Sequence, residues 1–181
     1  MAGIRKTIFD GKSRNEPLGN IASIYQPQTI SSSDLESNGI YPVYGANGII
    51  GRYSKYNHET EQVIITCRGN TCGTVNYSSA KSWITGNSMV INCDKSLAKI
   101  NKRYLYHYLC YCDFTSIISG SGQPQIVRTP LINYKIYLPD STKQLQVAKL
   151  LDSNMKKIEY CESILSLYIQ QKQFLLSKMF I

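Results

Sequence analysis

Residues 141–181 read STKQLQVAKLLDSNMKKIEYCESILSLYIQQKQFLLSKMFI, and their spacing decides what the rest of the chain has to be. Alternating steps of four and three from Val147 visit Leu151, Asn154, Ile158, Cys161, Leu165, Tyr168, Lys172, Leu175 and Met179. Apolar side chains fill all of these positions but Asn154 and Lys172, which is the pattern of a coiled-coil seam. Asp140 or Ser141, just after Pro139, can cap the helix. About forty residues at ~1.5 Å of rise make a rod of about 60 Å, longer than a small domain needs to cover its own core. Part of the seam is therefore expected to meet another molecule, and Asn154 is the kind of residue that fixes register between partners. Leu150, Ile164, Leu167 and Leu176 flank the seam and widen it, which suits a helix that touches both a twin and a separate protein.

Upstream of residue 141 the text changes character. Gly39 to Tyr53 (GIYPVYGANGIIGRY) is punctuated by Gly and Asn, and Pro42 argues against a central strand there, so a loop-rich edge is expected. Its Gly45, Gly48 and Gly51 are expected to supply positive φ angles in a tight strand-loop-strand unit. Gln62 to Cys67 (QVIITC), the Arg68-Gly69-Asn70 turn and Cys72 to Tyr77 (CGTVNY) read as a hairpin or two adjacent strands, and Ser88 to Cys93 (SMVINC) as a further strand. Asn101 to about Ile118 places Leu105, Tyr108, Leu109 and Cys112 at helical spacing, with Asn101 as N-cap and the glycines of residues 119–125 as its end. A strand over Asn133 to Leu138 follows. The fold class is α+β: a twisted, largely antiparallel β-sheet domain with a few helices over residues 1–140, followed by one long C-terminal coiled-coil helix over 141–181.

The chain has 181 residues, 43% of them hydrophobic and only 18% charged, with a formal net charge of +8. A positive excess with few acids to offset it favours a polyanionic partner, nucleic acid first and an anionic membrane second. No apolar run reaches the ~18 residues of a membrane span and the N-terminus lacks a secretory h-region, so a cytoplasmic location is expected. Six cysteines in a reducing compartment argue against a disulfide framework, and Cys110 and Cys112 read as buried thiols. Cys110 and Cys112 form at most a metal half-site, and they lie in an apolar stretch.

No catalytic constellation is legible. The two histidines, His58 and His107, sit in a polar loop and among Tyr and Leu on the helix, and neither has a nucleophile and acid spaced around it. Pro139-Asp140 lacks the Glu-x-Lys of a metal-dependent nuclease. Gly45-x-x-Gly48-x-x-Gly51 has the wrong spacing for a dinucleotide fingerprint, and no Gly-Lys-Ser/Thr follows any glycine cluster. No metal and no cofactor is expected in this chain.

The residue types that read DNA are present. The chain carries 14 tyrosines, each a flat apolar face with a hydroxyl that can bond a phosphate or a base edge. Tyr44 with Asn47, Arg52 with Tyr53, and Lys55 with Tyr56 set aromatic, amide and basic groups side by side. Over residues 62–134, Arg68, Lys81, Lys95, Lys99, Lys102, Arg103 and Arg128 face only Asp94 and Asp113, which marks a phosphate-facing surface. Asn47, Asn70, Asn87, Gln123 and Gln125 are amides of the type that pairs with adenine edges, while Arg52 or Arg68 could take guanine in a bidentate fork.

The order PLGNIASI, YPVYGANGIIGRYSKYN, VIITCRGNTCGTV, SWITGNSMVI, YLYHYL, SGSGQPQIV and YLPDSTKQLQVAKLLD resembles a target recognition domain of type I restriction-modification specificity subunits and the helical spacer that follows it. Its most specific parts are Tyr41 to Gly48, Ile65 to Gly73, Gly122-Gln123-Pro124-Gln125 and the start of the helix, where Lys143-Gln144 stands in place of the family's Glu-Gln. The resemblance implies a non-catalytic subunit that reads one half-site of double-stranded DNA and recruits a methyltransferase. A restriction subunit is a further partner that the family allows. S-adenosylmethionine would belong to the methyltransferase, and Mg and ATP would enter only with a nuclease subunit. One domain and one helix imply a homodimer through antiparallel C-terminal helices. The alternative is an adaptor or inhibitor that binds restriction-modification subunits through the helix without touching DNA.

Overall fold

The computed structural model describes residues 1–46, 48–120 and 122–179. Strand β5 (Val63–Thr66) is the centre of the fold, and Val63, Ile64 and Ile65 are all fully buried. Such a run with no polar alternation means that both faces of the strand are covered. Its sheet has the order β2 (Ser23–Tyr25), β8 (Ser88–Asn92), β5, β6 (Val75–Tyr77), and every pairing is antiparallel. Val63 and Ile65 face a larger core formed with α3 (Lys102–Leu109), while Ile64 and Val90 face a smaller one with Tyr44 and Ile84.

The smaller core is closed by a second sheet of order β4 (Gly48–Tyr53), β3 (Tyr41–Gly45), β7 (Trp83–Ile84). Here the expectation of a loop-rich edge fails, because β3 is the central strand. Pro42 is tolerated since β7 pairs only with Val43 and Tyr44, leaving Pro42 before the doubly bonded part. Of the three glycines spaced through this hairpin only Gly48 has a positive φ, +84°. Gly45 and Gly51 serve for space instead: a Cβ on Gly45 would lie 2.8 Å from Ile50 Cγ2 and one on Gly51 3.0 Å from Leu35 Cδ1.

The larger core is walled by helices that the sequence reading did not resolve. Helix α1 (Ala2–Phe9) sends Phe9 edge-on to Tyr104 and Tyr108, with ring centroids 5.9 and 5.1 Å apart. Two short helices, α2 (Leu18–Ile21) and α4 (Arg128–Ile132), fill in below, near the two-residue pairing of β1 (Glu16–Pro17) with β11 (Lys135–Ile136). That pairing is all that forms of the strand expected over 133–138. The Asn101 cap is as expected, its side chain accepting from Tyr104 N at 2.9 Å, but α3 stops at Leu109 rather than near Ile118. Past it, Tyr111 and Cys112 bond back in tighter turns, and Asp113 Oδ1 accepts from the Thr115 backbone and hydroxyl. This Asx turn competes with continued helix. A two-stranded pairing of β9 (Ile118–Ser119) with β10 (Gln125–Ile126) follows.

Helix α5 (Ser141–Met179) is the long helix expected, 39 residues in one piece. Asp140 caps it by accepting from Lys143 N at 2.9 Å, so the loss of a carboxylate at Lys143 is made good one turn earlier. Gln144, buried at 3% exposure, accepts from Asn101 N at 2.9 Å and donates to Pro139 O at 2.8 Å, which locks the starts of α3 and α5 together.

Candidate nucleic-acid interface

Four turns converge at one end of the two sheets, and backbone bonds hold them there. The β3–β4 turn is pinned through Ala46 O, which accepts from Thr66 Oγ1 at 2.6 Å and Thr71 Oγ1 at 3.5 Å. Ser88 Oγ reaches Gly45 O at 3.3 Å. The turn before β8 bonds through Asn87 O to Cys67 N at 2.9 Å. The Arg68–Asn70 turn, which needs Gly69 at φ +84°, donates from Gly69 N to Pro124 O at 3.0 Å, while Ile126 N donates to Cys67 O at 3.0 Å. Arg68 and Gln125 form an isolated bridge. Arg68, Asn70, Asn87, Gln123 and Gln125 are thereby gathered on one exposed surface although up to 57 positions separate them. Asn47 lies outside the described residues. These four turns hold no acidic residue, so the Arg68 charge stands among amides that can donate and accept at a base edge.

A second group sits at the other end of the β3–β4 hairpin. Arg52 and Tyr53 lie four and five residues from Gly48, about 15 Å away at the rise of a strand. Arg52 is exposed and donates to Ile40 O at 2.9 Å; Tyr53 sits edge-on to Trp83 with centroids 5.4 Å apart. Lys55 is exposed, and Lys81 is drawn to Glu59 at 3.8 Å. Tyr44 belongs to neither group: it is buried in the smaller core and its hydroxyl accepts from Ser79 N at 3.0 Å.

The tyrosine count and the basic excess are partly absorbed by the fold. Tyr104, Tyr108 and Tyr134 are buried, and Tyr104 Oη donates to Tyr137 O at 2.8 Å. Lys102 pairs with Asp94. Arg103 forks onto Asp152 with Nε at 2.9 and 3.1 Å, while its guanidinium lies 4.5 Å from the Tyr77 ring centroid. Both cations are paired with carboxylates, so the phosphate-facing surface expected over 62–134 carries less free charge than its composition implied. His58 is likewise structural, since it is buried, with Tyr25 Oη donating to Nε2 at 2.9 Å and Nδ1 donating to Asn57 Oδ1 at 2.6 Å.

Asp152 was not among the sequence-derived candidates, yet it organises the junction of α3 and α5. Burial pushes its carboxyl up, but the bonds from Arg103 and His107 outweigh that and hold it below the usual range. Burial holds the His107 imidazole down against the opposing pull of Asp152. Among the described residues no group of three or more His, Cys, Asp or Glu is arranged to hold a metal ion, and no helix is long and apolar enough to cross a membrane.

The helix seam divides at this junction. Val147 and Leu151, with 6% and 0% exposure, are buried in the domain's own core. Asn154 is half-buried and donates to Leu150 O at 2.8 Å. Ile158, Cys161, Leu165, Tyr168, Leu175 and Met179 are all exposed, Met179 to 74%.

Residues 13–166 match the family described as the type I restriction modification DNA specificity domain. The type I restriction enzyme EcoprrI specificity subunit of Escherichia coli is 27% identical over 145 residues, 78% of this chain and 35% of its own length. The specificity subunit S.HindORF215P of Haemophilus influenzae is 28% identical over 154 residues, 83% of this chain and 39% of its own. The chain thus spans well under half the length of these relatives. In three dimensions it is similar to the type I S subunit of M. genitalium, with a TM-score of 0.71 at 14% identity over 85% of this chain and 42% of that one. It is similar also to the HsdS subunit of Thermoanaerobacter tengcongensis, with a TM-score of 0.61 at 18% identity over 87% of this chain and 43% of that one.

Proposed function

This chain belongs to the type I restriction-modification DNA specificity family, and from that premise we propose that it reads one half-site of double-stranded DNA and recruits a methyltransferase through its long helix. The observation that carries the proposal is the convergence of Arg68, Asn70, Asn87, Gln123 and Gln125 on acid-free turns held rigidly by the two sheets. In this reading Arg68 takes a guanine edge, the amides take adenine edges, and Arg52, Lys55 and Lys81 at the far end of the hairpin meet phosphates. Catalysis, and with it S-adenosylmethionine, stays with the methyltransferase; Mg and ATP join only with a restriction subunit.

The exposed part of the seam supports a homodimer in which two domains read inverted copies of one half-site. Within such a dimer, Tyr160, Leu167 and Phe174, spaced by sevens and 68%, 61% and 60% exposed, lie about 130° round the helix from the seam, so Leu167 does not widen the seam as expected but belongs to a separate stripe. That stripe is the place for the methyltransferase.

The pairing of Lys102 with Asp94 and of Arg103 with Asp152 favours the second reading, an adaptor that does not touch DNA. A gel shift with random duplex at rising salt separates the two. DNA recognition predicts binding that weakens steeply with salt. Absence of binding both with and without the methyltransferase would leave only the adaptor.

A further inference from the structure

We infer that the two long helices of the dimer pair in one particular register, centred between Ser166 and Leu167, which sets Cys161 of each chain against Lys172 of its twin. The inference rests on the homodimer reading above and goes beyond it by fixing which residues meet.

An antiparallel two-fold pairing has to map the four-and-three spacing of the seam onto itself, which registers a heptad apart all do, and three of them keep most of the exposed seam in contact. The first, centred between Ser166 and Leu167, sets Leu165 on the twin's Tyr168, Cys161 on Lys172, Ile158 on Leu175 and Asn154 on Met179. The second sets Cys161 on Leu165, and it requires Leu175 and Met179 to land on the twin's Leu151 and Val147. Those two side chains are 0% and 6% exposed, already spent on the core of their own domain. The third sets Cys161 on Met179 and Lys172 against Tyr168, the bulkiest side chain of the seam. Only the first both asks nothing of the buried part and sets the lysine against a small side chain.

Two further observations favour that register. Cys161 is the smallest side chain of the seam and Lys172 the longest, so the lysine stem can lie over the thiol while its ammonium reaches water. The second register would instead put Lys172 on Asn154, and the third would put it on Tyr168. The exposed apolar side chains from Ile158 to Met179 that face the seam would remove roughly 1,300 Å² from water over both chains, inside the ~1,200–2,000 Å² of stable interfaces.

The test uses the full chain with its native exposed Cys161 and three single variants, Lys172→Cys, Leu165→Cys and Met179→Cys, each treated with diamide as thiol oxidant. A disulfide needs Cα atoms within about 7 Å, whereas neighbouring registers shift the opposing residue by seven positions, about 10 Å. K172C should therefore give a covalent dimer at least about tenfold more abundantly than L165C or M179C, and adding Cys161→Ser should abolish it. Cross-linking through L165C or M179C instead would overturn the register and leave the dimer standing. Cross-linking of the unmodified chain through Cys161 alone would mean parallel helices and overturn it too. Light scattering on the unmodified chain separates the two remaining failures: a dimer mass without any cross-link overturns the register, and a monomer mass overturns the homodimer reading itself.

Discussion

His107 Nε2 donates to Asp152 Oδ1 at 2.7 Å, and with Arg103 bonded to the same carboxylate this contact joins α3 to α5. The imidazole is wholly buried and its Nδ1 accepts from Arg5 at 3.4 Å, so one protonated nitrogen satisfies both partners. Removal of the carboxylate strands two donors at the joint. Asp152→Ala is expected to lower unfolding stability by about 1–3 kcal/mol, the low side of a buried pair because Asp152 and Arg103 are 28% and 32% exposed. Urea denaturation measures this, and a midpoint unchanged from the parent protein would contradict the role.

The same joint gives stability a pH dependence of known sign. Burial lowers the folded His107 pKa beneath its ordinary 6.5, so below pH 6.5 the unfolded chain binds a proton that the folded chain does not. Unfolding free energy then falls as pH drops through that interval. Asp152, held below its ordinary 3.8, contributes stability that is present above 3.8 and lost as pH falls through its folded value. Thermal melts should decline as pH is lowered below 6.5. His107→Gln should reduce the first part of that decline, the rest coming from His58, whose imidazole is also held down by burial, and an unchanged slope would remove His107 from the account.

At the converging turns, Arg68→Ala is expected to cost about 1–3 kcal/mol of binding to the cognate site, roughly 5- to 150-fold, and to relax preference at one base pair. Arg52→Ala and Lys55→Ala, on the far group, should weaken specific and random duplex alike and shallow the salt dependence. Fluorescence anisotropy on the two duplexes gives all these values. An equal loss on both duplexes for R68A would demote Arg68 to a phosphate contact.

On the outer stripe of the helix, Leu167→Glu should leave the dimer mass unchanged while weakening capture of the methyltransferase by about tenfold or more. Loss of the dimer instead would show that this stripe, not the seam, joins the twins.

What the sequence made legible follows the range of each signal. Val63 to Thr66, Ser88 to Asn92 and Ser141 to Met179 were readable because local pattern alone fixes them. The central place of β3 was hidden, because whether Pro42 is tolerated depends on where a distant strand, β7, begins to pair. The early end of α3 turned on one Asx turn at Asp113 against an otherwise helical spacing. Arg68, Asn70, Gln123 and Gln125 could be picked by residue type, but their adjacency comes from Gly69 N meeting Pro124 O across the fold. Tyr44, Lys102 and Arg103 were picked by the same types, yet Tyr44 is buried and the two cations are paired with carboxylates, since composition carries neither direction nor partners. Asp152 gave no signal: a lone acid on a helix is ordinary until the partners across from it are known.

The measurement that bears most directly on a reading head without chemistry of its own is methylation mapping of host DNA after co-expression of this chain with its methyltransferase. The account predicts modification at a palindromic, bipartite motif. In the inferred register the Leu151 anchors of the two chains stand about 46 Å apart, so the two halves of the motif are expected at one fixed spacing. An unmethylated genome, or a motif with two unrelated halves, would contradict it.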